Sequence, residues 1–269
     1  PRTVRVSESS PGHGTASLVG PPPYGSEELA LLLARMRHVL RLDEDLSGFY
    51  SLAAGDLELS WVTRGAGRMI RGATVFEDVV KTLCTTNCSW SATRRMVSAL
   101  VEHLGEKALG APETGPWGRA FPTARAMAEA GEGFYRDVVR AGYRGKYLLA
   151  LARSVASGGL DLESLDAEEL SDDEVEGRLL ALPGIGPYAT AHIMMLLGRY
   201  SRLIFDSWTR PTYARISGKR VGDAEIEARF LRYGPYKGLA FWLYLTRERV
   251  DGTQIATSFN RWPLPNVGD

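Results

Sequence analysis

The seven residues LPGIGPY at positions 182–188 join two segments of helical periodicity, and they are the strongest local indication of the fold. Gly184 and Gly186 permit a tight turn whose backbone amides are not shielded by side chains. Pro187 suits the first turn of the following helix, because the amide hydrogen that it lacks would have no intrahelical acceptor there. Exposed amides at a helix N-terminus can bind a phosphate group. The stretch therefore predicts a helix-hairpin-helix that a phosphate can approach closely.

The residues on both sides of this stretch carry the signals of the two helices that the motif needs. Ser171 and Glu174 have the spacing of a capping box, which marks the start of the first helix. Val175 and Leu179 then lie on one apolar face of that helix. Gly198 suits the end of the second helix. Both helices are therefore expected to be short.

The rest of the chain is predicted to be almost entirely helical, except for its first residues. Residues 1–25 contain the alternating run TVRV followed by turn-rich sequence, which predicts an irregular or β-like segment. We therefore predict an all-α protein with a short N-terminal β element. The expected helices cover 26–40, 46–53, 76–86, 90–104, 123–130, 134–140, 145–157, 166–170, 172–181, 188–197, 207–216, 223–231 and 236–249.

The composition is that of an ordinary soluble globular protein, with 44% apolar and 24% charged residues in a chain of 269. No apolar run approaches the roughly 18 residues that a membrane span requires, and the first residues lack the apolar region of a secretory signal. Cys84 and Cys88 cannot form a disulfide framework and are interpreted as small buried residues. We therefore expect a cytoplasmic protein, associated with the nucleoid in a bacterium, with no membrane partner.

The charges balance overall but are segregated along the chain. There are 32 basic and 32 acidic residues, and nine of the acidic residues lie in the segment 161–176, which contains no basic residue. The remainder has 32 basic and 23 acidic residues, a net charge of +9. A basic surface beside an acidic flank could bind phosphates, and a solvated acidic face beside ordinary surface charge fits the same composition.

Asp206 adds a second element to the hairpin. It lies 20 residues after Gly186, at the start of the next helical segment. Alone, it would be interpreted as a helix N-cap. Together, the hairpin and this aspartate resemble the helix-hairpin-helix, Gly/Pro-rich loop, Asp superfamily of base-excision DNA glycosylases. The resemblance implies that Asp206 is catalytic.

Three further stretches resemble the branch of this superfamily that contains 8-oxoguanine DNA glycosylase and 3-methyladenine DNA glycosylase II. They are residues 76–87, 141–147 and 233–240, and the resemblance covers about 30–250 in the family's order. It implies the two-domain fold of these enzymes. We expect a terminal helical domain of residues 26–74 plus 199–269, a six-helix domain of residues 75–198 that includes the hairpin, and the segment 1–25 before them.

The resemblance also implies which residues contact DNA. Asn87 would push into the duplex beside the extruded nucleotide, Tyr143 would wedge between bases, and Arg144 would face the orphaned base. A packed aromatic ring and an ordinary turn residue are the alternatives for Tyr143 and Asn87. The full predicted set of DNA-binding residues is Asn87, Tyr143, Arg144, Gly184, Gly186, Tyr188 and Ala189.

An aromatic pocket for the damaged base is expected from Tyr188, His192, Trp208 and Phe241. Such a pocket selects by stacking and cation–π attraction, which suits electron-poor alkylated purines. The 8-oxoguanine branch offers an amide side chain at the position that Phe241 occupies. His192 could instead be an ordinary helix histidine, and Phe241 could belong to the core.

Two departures from the family bear on chemistry and cofactors. Bifunctional members carry a Schiff-base-forming lysine at the position of Tyr188, so we expect water to attack and strand cleavage to be weak or absent. The C-terminal region lacks the four cysteines of the iron–sulfur members. No cofactor is expected to be required, although the resemblance implies that the carbonyls of Leu180, Leu182 and Ile185 could hold K⁺ or Na⁺.

The sequence thus predicts a monofunctional DNA N-glycosylase that removes a damaged base, with an alkylated purine as the favoured substrate. Its partner would be double-stranded DNA that contains the damaged base, and we expect a monomer. An 8-oxoguanine DNA glycosylase is the alternative within the family. A non-catalytic DNA-binding protein that retains the hairpin is the alternative outside it.

Overall fold

A computed structural model describes residues 1–10, 13–23 and 25–250 of the chain. These residues are mainly helical and begin with an antiparallel hairpin of two strands, β1 (Thr3–Ser10) and β2 (His13–Val19). The predicted fold class is therefore confirmed, including its short N-terminal β element. No helix in the described part of the chain is long and apolar enough to cross a membrane.

The helices follow one another along the chain with connections of very different lengths. They are α1 (Ser26–Leu40), α2 (Ser47–Ala53), α3 (Val75–Thr85), α4 (Trp90–Leu104), α5 (Ala124–Glu129), α6 (Gly131–Gly133), α7 (Arg144–Ala156), α8 (Asp172–Leu180), α9 (Pro187–Leu196), α10 (Thr209–Ser217), α11 (Asp223–Phe230) and α12 (Lys237–Val250). Short segments of 3-10 helix occupy Ser60–Arg64, Glu163–Asp166 and Leu231–Tyr236, the last interrupted at Gly234, and Phe134–Val138 forms a π-helical turn.

The helix predicted over 166–170 is wrong, because the helical turn in this region begins and ends earlier, at Glu163–Asp166. Asp161 starts this turn: its Oδ1 accepts the Ser164 amide at 3.2 Å, and its carbonyl accepts the Ser164 hydroxyl at 2.8 Å. Aspartate side chains commonly begin turns in this way. The apolar spacing of the segment located a helical turn but not its boundaries.

The chain divides into two compact units. Unit 1 comprises residues 1–43 and 70–197, and unit 2 comprises residues 44–69 and the chain from 198 onward. Each unit therefore contains two separate segments of the sequence.

The sequence-based division groups the chain differently from these units, since it joins residues 26–43 and 70–74 to the C-terminal helices and sets residues 1–25 apart. The contacts within the chain assign these three segments to unit 1. The division into a domain of 26–74 plus 199–269 and a domain of 75–198 stays a prediction. Its residues 251–269 lie outside the described residues.

The core of unit 1 is built where α3, α7 and α9 pack together. Val79 and Leu83 of α3, Leu148 of α7, and Ile193 and Met194 of α9 are all at most 1% exposed. Val79 and Leu83 are four residues apart and so share one face of α3, whereas α9 is buried on most of its sides. The core fixes the three helices whose ends adjoin predicted DNA contacts.

Aromatic rings dominate the core of unit 2. The ring centroid of Phe230 lies 5.4 Å from that of Phe241 and 5.7 Å from that of Tyr244. Tyr213 adds a third contact, with its ring centroid 5.8 Å from that of Tyr244. These separations are within the range in which tilted aromatic pairs stabilise one another. They join α10, α11 and α12.

Part of the acidic segment 161–176 stabilises unit 1 internally. The Glu163 carboxylate accepts the amides of Val75 at 2.9 Å and Phe76 at 3.1 Å, which are the first amides of α3. A carboxylate at a helix N-terminus is favourable because it satisfies amides that have no intrahelical acceptor. Asp166 accepts Nη1 of Arg71 at 3.0 Å. These two carboxylates therefore connect the acidic segment to the start of α3.

Asp78 is a buried carboxylate in the first turn of α3. It is 4% exposed, and its Oδ1 accepts the amide of Gly72 at 2.8 Å. The pKa of Asp78 is raised from 3.8 to about 6, chiefly by burial and also by the neighbouring Glu77 charge, although the hydrogen bond from the Gly72 amide acts in the opposite direction. The folded protein therefore keeps this proton to a higher pH than the unfolded chain does.

Replacement of Asp78 by asparagine should remove a pH dependence of stability. Between pH 4 and pH 7 the folded wild type binds more protons at this site than the unfolded chain, so its free energy of unfolding should fall as the pH rises. The fall should be at most about 3 kcal/mol, the equivalent of the pKa difference. Urea unfolding across this pH range measures it. Asp161→Asn replaces an exposed aspartate and is the control. If the free energies of unfolding of Asp78→Asn and the wild type differ by the same amount at every pH, the pKa of Asp78 is not raised in the folded protein.

Candidate functional site

The predicted helix-hairpin-helix is formed by α8, the loop at 181–186, and α9. The capping box at the start of α8 is complete: the Glu174 amide donates to the Ser171 hydroxyl at 3.3 Å, and the Ser171 amide donates to the Glu174 carboxylate at 2.8 Å. Gly186 is the N-cap of α9, and Pro187 is its first residue. The local signals in the sequence therefore locate the first residues of both helices of the motif.

The two hairpin glycines serve different purposes. Gly184 has a φ of +86°, and a Cβ there would lie 2.7 Å from Cδ2 of Tyr147 and 3.1 Å from Cδ1 of Leu83. Both the backbone conformation and the close approach therefore require glycine. Gly186 has a φ of −115°, and a Cβ there would meet no atom within 4 Å. Its missing side chain leaves open space beside the N-terminus of α9.

The N-terminus of α9 has the chemistry of an anion site. The amide of Thr190 donates to the carbonyl of Gly186 at 2.9 Å and begins the intrahelical ladder. The amides of Tyr188 and Ala189 precede it in the first turn, where no intrahelical acceptor is available. This end of the helix carries partial positive charge. The role of these amides in DNA binding stays a prediction.

The hairpin carbonyls predicted to hold a monovalent cation are those of Leu180, Leu182 and Ile185. Backbone carbonyl oxygens are hard donors and therefore suit such an ion chemically. The Leu182 carbonyl accepts the Ile185 amide at 3.1 Å, which uses one of its two lone pairs. Among the described residues, no group of three or more His, Cys, Asp and Glu side chains is placed to hold a metal ion.

Asn87 and Tyr143, which lie 56 residues apart in the sequence, are brought together in unit 1. The side-chain amide of Asn87 donates to the Tyr143 hydroxyl at 3.1 Å. Asn87 follows the end of α3 with a φ of +46°, and Tyr143 immediately precedes α7. Both side chains are exposed, and Tyr143 has 49% of its surface accessible. The two predicted DNA contacts thus form one exposed polar and aromatic pair.

Arg144 is placed differently from its neighbour Tyr143, because it is only 6% exposed. Its Nε donates to the hydroxyl of Thr86 at 3.2 Å, and its Nη2 donates to the carbonyl of Thr86. Its Nη1 donates to the carbonyl of Ala141 at 3.4 Å. The guanidinium therefore binds the protein's own backbone. Its predicted contact with the orphaned base stays a prediction.

Asp206 lies in the turn before α10 in unit 2 and is half-buried. Its Oδ1 accepts the amides of Trp208 at 2.7 Å and Thr209 at 2.6 Å. Its own amide donates to the Thr209 hydroxyl at 2.8 Å. One oxygen is thus fixed by the backbone, and the other, Oδ2, accepts no hydrogen bond within the described part of the chain.

Tyr188 and His192 form an aromatic pair on α9 in unit 1. Their ring centroids are 4.6 Å apart with an edge-to-face geometry, as their four-residue spacing on one helix face predicts. The Tyr188 hydroxyl donates to the hydroxyl of Thr85 at 3.4 Å. Both rings are partly exposed. Their place in a base pocket stays a prediction.

Trp208 and Phe241 lie in unit 2 in different surroundings. Phe241 is completely buried, with its ring centroid 5.5 Å from that of Phe205 in the aromatic core. Trp208 contacts Trp242, the residue after Phe241, with a centroid separation of 5.7 Å. The pocket role assigned to Phe241 stays a prediction. On α12, it is therefore the ring of Trp242, and not that of Phe241, that contacts Trp208, two residues after Asp206.

Sequence reasoning gave no individual role to two residues that the structure connects to the predicted site, or to the exposed Trp90 near it in the sequence. Thr86 binds the Arg144 guanidinium, and Thr85 accepts the Tyr188 hydroxyl. Both belong to the polar run TTN that precedes the turn, which was a usable signal. Trp90 begins α4 three residues after Asn87 and is 71% exposed, which is unusual for so large an apolar side chain.

The described fold is similar to solved structures, although no protein-family model and no curated protein matches the sequence. An 8-oxoguanine glycosylase/lyase of Clostridium acetobutylicum, in complex with double-stranded DNA containing cytosine opposite 8-oxoG, has a TM-score of 0.69 and 22% identity. The match covers 91% of this chain and 82% of that chain. A 3-methyladenine DNA glycosylase of Archaeoglobus fulgidus has a TM-score of 0.68 and 19% identity, with 93% and 84% covered.

A third structure, the Schizosaccharomyces pombe 3-methyladenine DNA glycosylase in complex with abasic DNA, has a TM-score of 0.56 and 17% identity. It covers 76% of this chain and 97% of that chain. At such low identities the similarity establishes the fold. The chain has the fold of the helix-hairpin-helix DNA glycosylases, a fold that includes both 8-oxoguanine and 3-methyladenine enzymes.

Proposed function

We propose that this protein is a DNA glycosylase of base excision repair that binds double-stranded DNA, extrudes a damaged nucleotide and hydrolyses its N-glycosidic bond. The observation that carries the proposal is the half-buried Asp206, whose Oδ1 is fixed by two backbone amides before α10. The hairpin alone would serve a DNA-binding protein equally well. A carboxylate with one fixed and one available oxygen is what the hydrolytic step requires.

Extrusion of the nucleotide is the first task of such an enzyme, because the bond to be cleaved is inaccessible inside a stacked duplex. The gap left by the base must be filled. Tyr143 offers an aromatic ring that can stack between bases, and Asn87 offers an amide that can hydrogen-bond to their edges. The hydrogen bond between their side chains at 3.1 Å supports a joint role.

Hydrolysis develops positive charge on the sugar as the base leaves. An ionised carboxylate stabilises that charge, and it can orient or deprotonate the attacking water. We assign both tasks to Asp206. Fixation of Oδ1 by the amides of Trp208 and Thr209 supports this assignment, because a preorganised charge need not reorient during the reaction.

An alkylated purine is the substrate class that we favour. In unit 1, Tyr188 and His192 form an edge-to-face pair, and in unit 2, the ring of Trp208 packs against that of Trp242. Such rings attract electron-poor, positively charged bases by stacking and cation–π interaction. 8-Oxoguanine is the second candidate, and the similarity to the Clostridium acetobutylicum enzyme favours it.

A panel of lesion duplexes tests the proposed function. Duplexes with 3-methyladenine, 7-methylguanine, 8-oxoguanine or uracil are incubated with the protein, and abasic sites are revealed by alkali. Product from the alkylated purines is expected. If abasic sites form only from 8-oxoguanine, then 8-oxoguanine and not an alkylated purine is the substrate. If no lesion gives abasic sites, a non-catalytic DNA-binding protein is favoured.

The hairpin should contact the DNA backbone through the N-terminus of α9, and the two hairpin glycines allow a paired test. Gly184→Ala should lower the free energy of unfolding by about 2–4 kcal/mol, because of its positive φ and the close Tyr147 ring. Gly186→Ala should cost no more than about 1 kcal/mol. It should still weaken DNA affinity about tenfold, the equivalent of about one hydrogen bond to a charged group.

Thermal unfolding and fluorescence anisotropy with a short duplex measure these effects. Equal affinity of Gly186→Ala and wild type for the duplex would argue against a phosphate contact at this turn.

Asp206→Asn should abolish most base excision while folding and DNA affinity stay close to those of the wild type. The amide oxygen can keep the hydrogen bonds to the backbone, but the charge that stabilises the sugar cation is lost. Single-turnover excision should fall at least about a hundredfold. Asp161→Asn removes another carboxylate that accepts a backbone amide and serves as the control. Excision by Asp206→Asn at the wild-type rate would refute the mechanism.

The wild-type enzyme should form abasic sites without nicking the strand, and borohydride should not trap it on DNA. Trapping requires a neutral amine at the anomeric carbon, and Tyr188 occupies the position at which bifunctional relatives carry lysine. Lys81, Lys107 and Lys237 instead pair with carboxylates. Denaturing electrophoresis after borohydride treatment measures the covalent complex, and a high yield would mean that an amine rather than water attacks the sugar.

A further inference from the structure

Arg144 is a charged residue that is buried beside an exposed turn. It is 6% exposed, whereas the preceding Tyr143 is 49% exposed, and it pairs with no carboxylate among the described residues. An arginine in this environment must satisfy its donors with neutral oxygen atoms. Its acceptors are therefore informative about its role.

Those acceptors lie on both of the turns that carry the exposed pair of Asn87 and Tyr143. The hydroxyl and the carbonyl of Thr86, the residue before Asn87, accept Nε and Nη2. The carbonyl of Ala141, two residues before Tyr143, accepts Nη1 at 3.4 Å. Arg144 thus connects the end of α3 to the start of α7.

The guanidinium also contacts the exposed pair directly. Its central carbon lies 4.6 Å from the centroid of the Tyr143 ring, within cation–π distance. Thr86 is itself held, because its hydroxyl donates to the carbonyl of Leu83 at 2.9 Å. Beyond Thr86, the backbone turns into the left-handed conformation of Asn87, with φ +46°. The position of the Asn87 amide therefore depends on groups that Arg144 holds.

We propose that Arg144 is a positioning residue that preassembles Asn87 and Tyr143 as a single wedge before DNA is bound, and that it does not read the base opposite the lesion. The inference rests on the proposed function of the same site. Arg144 then contacts Thr86 rather than the orphaned base. Opposite-base preference, where the enzyme has any, must then come from other residues.

The geometry of arginine explains why this position needs it. A planar guanidinium presents five donors in fixed directions and can bond the hydroxyl and the carbonyl of one residue and a third oxygen at once. A lysine ammonium keeps the charge but concentrates its donors at one point. Arg144→Lys should therefore lose the connection between the turns without losing the charge. This variant separates positioning from charge.

The first test needs no DNA. In the ¹⁵N-labelled protein, the side-chain amide signals of Asn87, assigned by their loss in Asn87→Ala, report on its hydrogen bond to Tyr143. Arg144→Lys should shift or broaden these signals, and so should Thr86→Val, which removes the hydroxyl that accepts Nε of Arg144 and donates to the Leu83 carbonyl. Arg71→Lys is the matched control, because Arg71 is a largely buried arginine of unit 1 that binds Asp166. Unchanged Asn87 signals in Arg144→Lys would overturn the proposal.

The second test measures excision of one lesion opposite each of the four bases. Arg144→Lys should reduce the rate by about 10- to 100-fold and by the same factor for all four, as expected for a displaced wedge. A reduced excision rate opposite only one of the four bases would show that Arg144 reads that base directly, and it would overturn the proposal. The effects of Arg144→Lys and Asn87→Ala should also be less than additive, because the arginine acts through the asparagine.

Failure of this inference can be told from failure of the proposed function. If the wild type releases no base from any lesion, the proposed function is wrong, and the Asn87 signals still decide whether Arg144 positions the wedge. If Arg144→Lys does not fold, as judged by circular dichroism, Thr86→Val decides in its place. A wild-type excision rate and unchanged Asn87 signals in Thr86→Val would then refute the connection.

Discussion

The close approach of the hairpin to Tyr147 is the constraint on which unit 1 depends. Only a glycine at position 184 allows the loop between α8 and α9 to lie against Tyr147 of α7 and Leu83 of α3. Asn87 follows α3 and Tyr143 precedes α7, so the same two helices adjoin both turns of the exposed pair. The contact at Gly184 therefore lies against the helices that lead into two turns far apart in sequence. A side chain at 184 would press against both of these helices.

The fold could be predicted from the sequence where its signals are local. The capping box of Ser171 and Glu174 and the proline at 187 act within one helical turn, so they locate the hairpin without knowledge of the rest of the chain. Hydrophobic periodicity located most other helices for the same reason. It failed at 166–170, where the Asp161 carboxylate begins a helical turn earlier than the apolar residues indicate.

The candidate site was less predictable because its residues are sorted by long-range contacts. Gly184 and Gly186 look equivalent in the sequence, yet only the first meets a neighbouring side chain. Arg144 follows an exposed tyrosine, and nothing in the local pattern indicates that it binds Thr86, 58 residues earlier. Burial likewise separates Phe241 from the residue that follows it. Such distinctions depend on which segments pack together, and periodicity does not encode that information.

Backbone hydrogen bonds and side-chain identity have separate tasks in this fold. Two amides fix the Asp206 carboxylate, and they would do so whatever side chains surround it. Backbone amides stay in place when a side chain is replaced. Under the proposed function, the carboxylate that acts on the sugar and the rings that select the base can therefore change independently. Such independence would be a physical reason why one fold includes enzymes named for 8-oxoguanine and for 3-methyladenine.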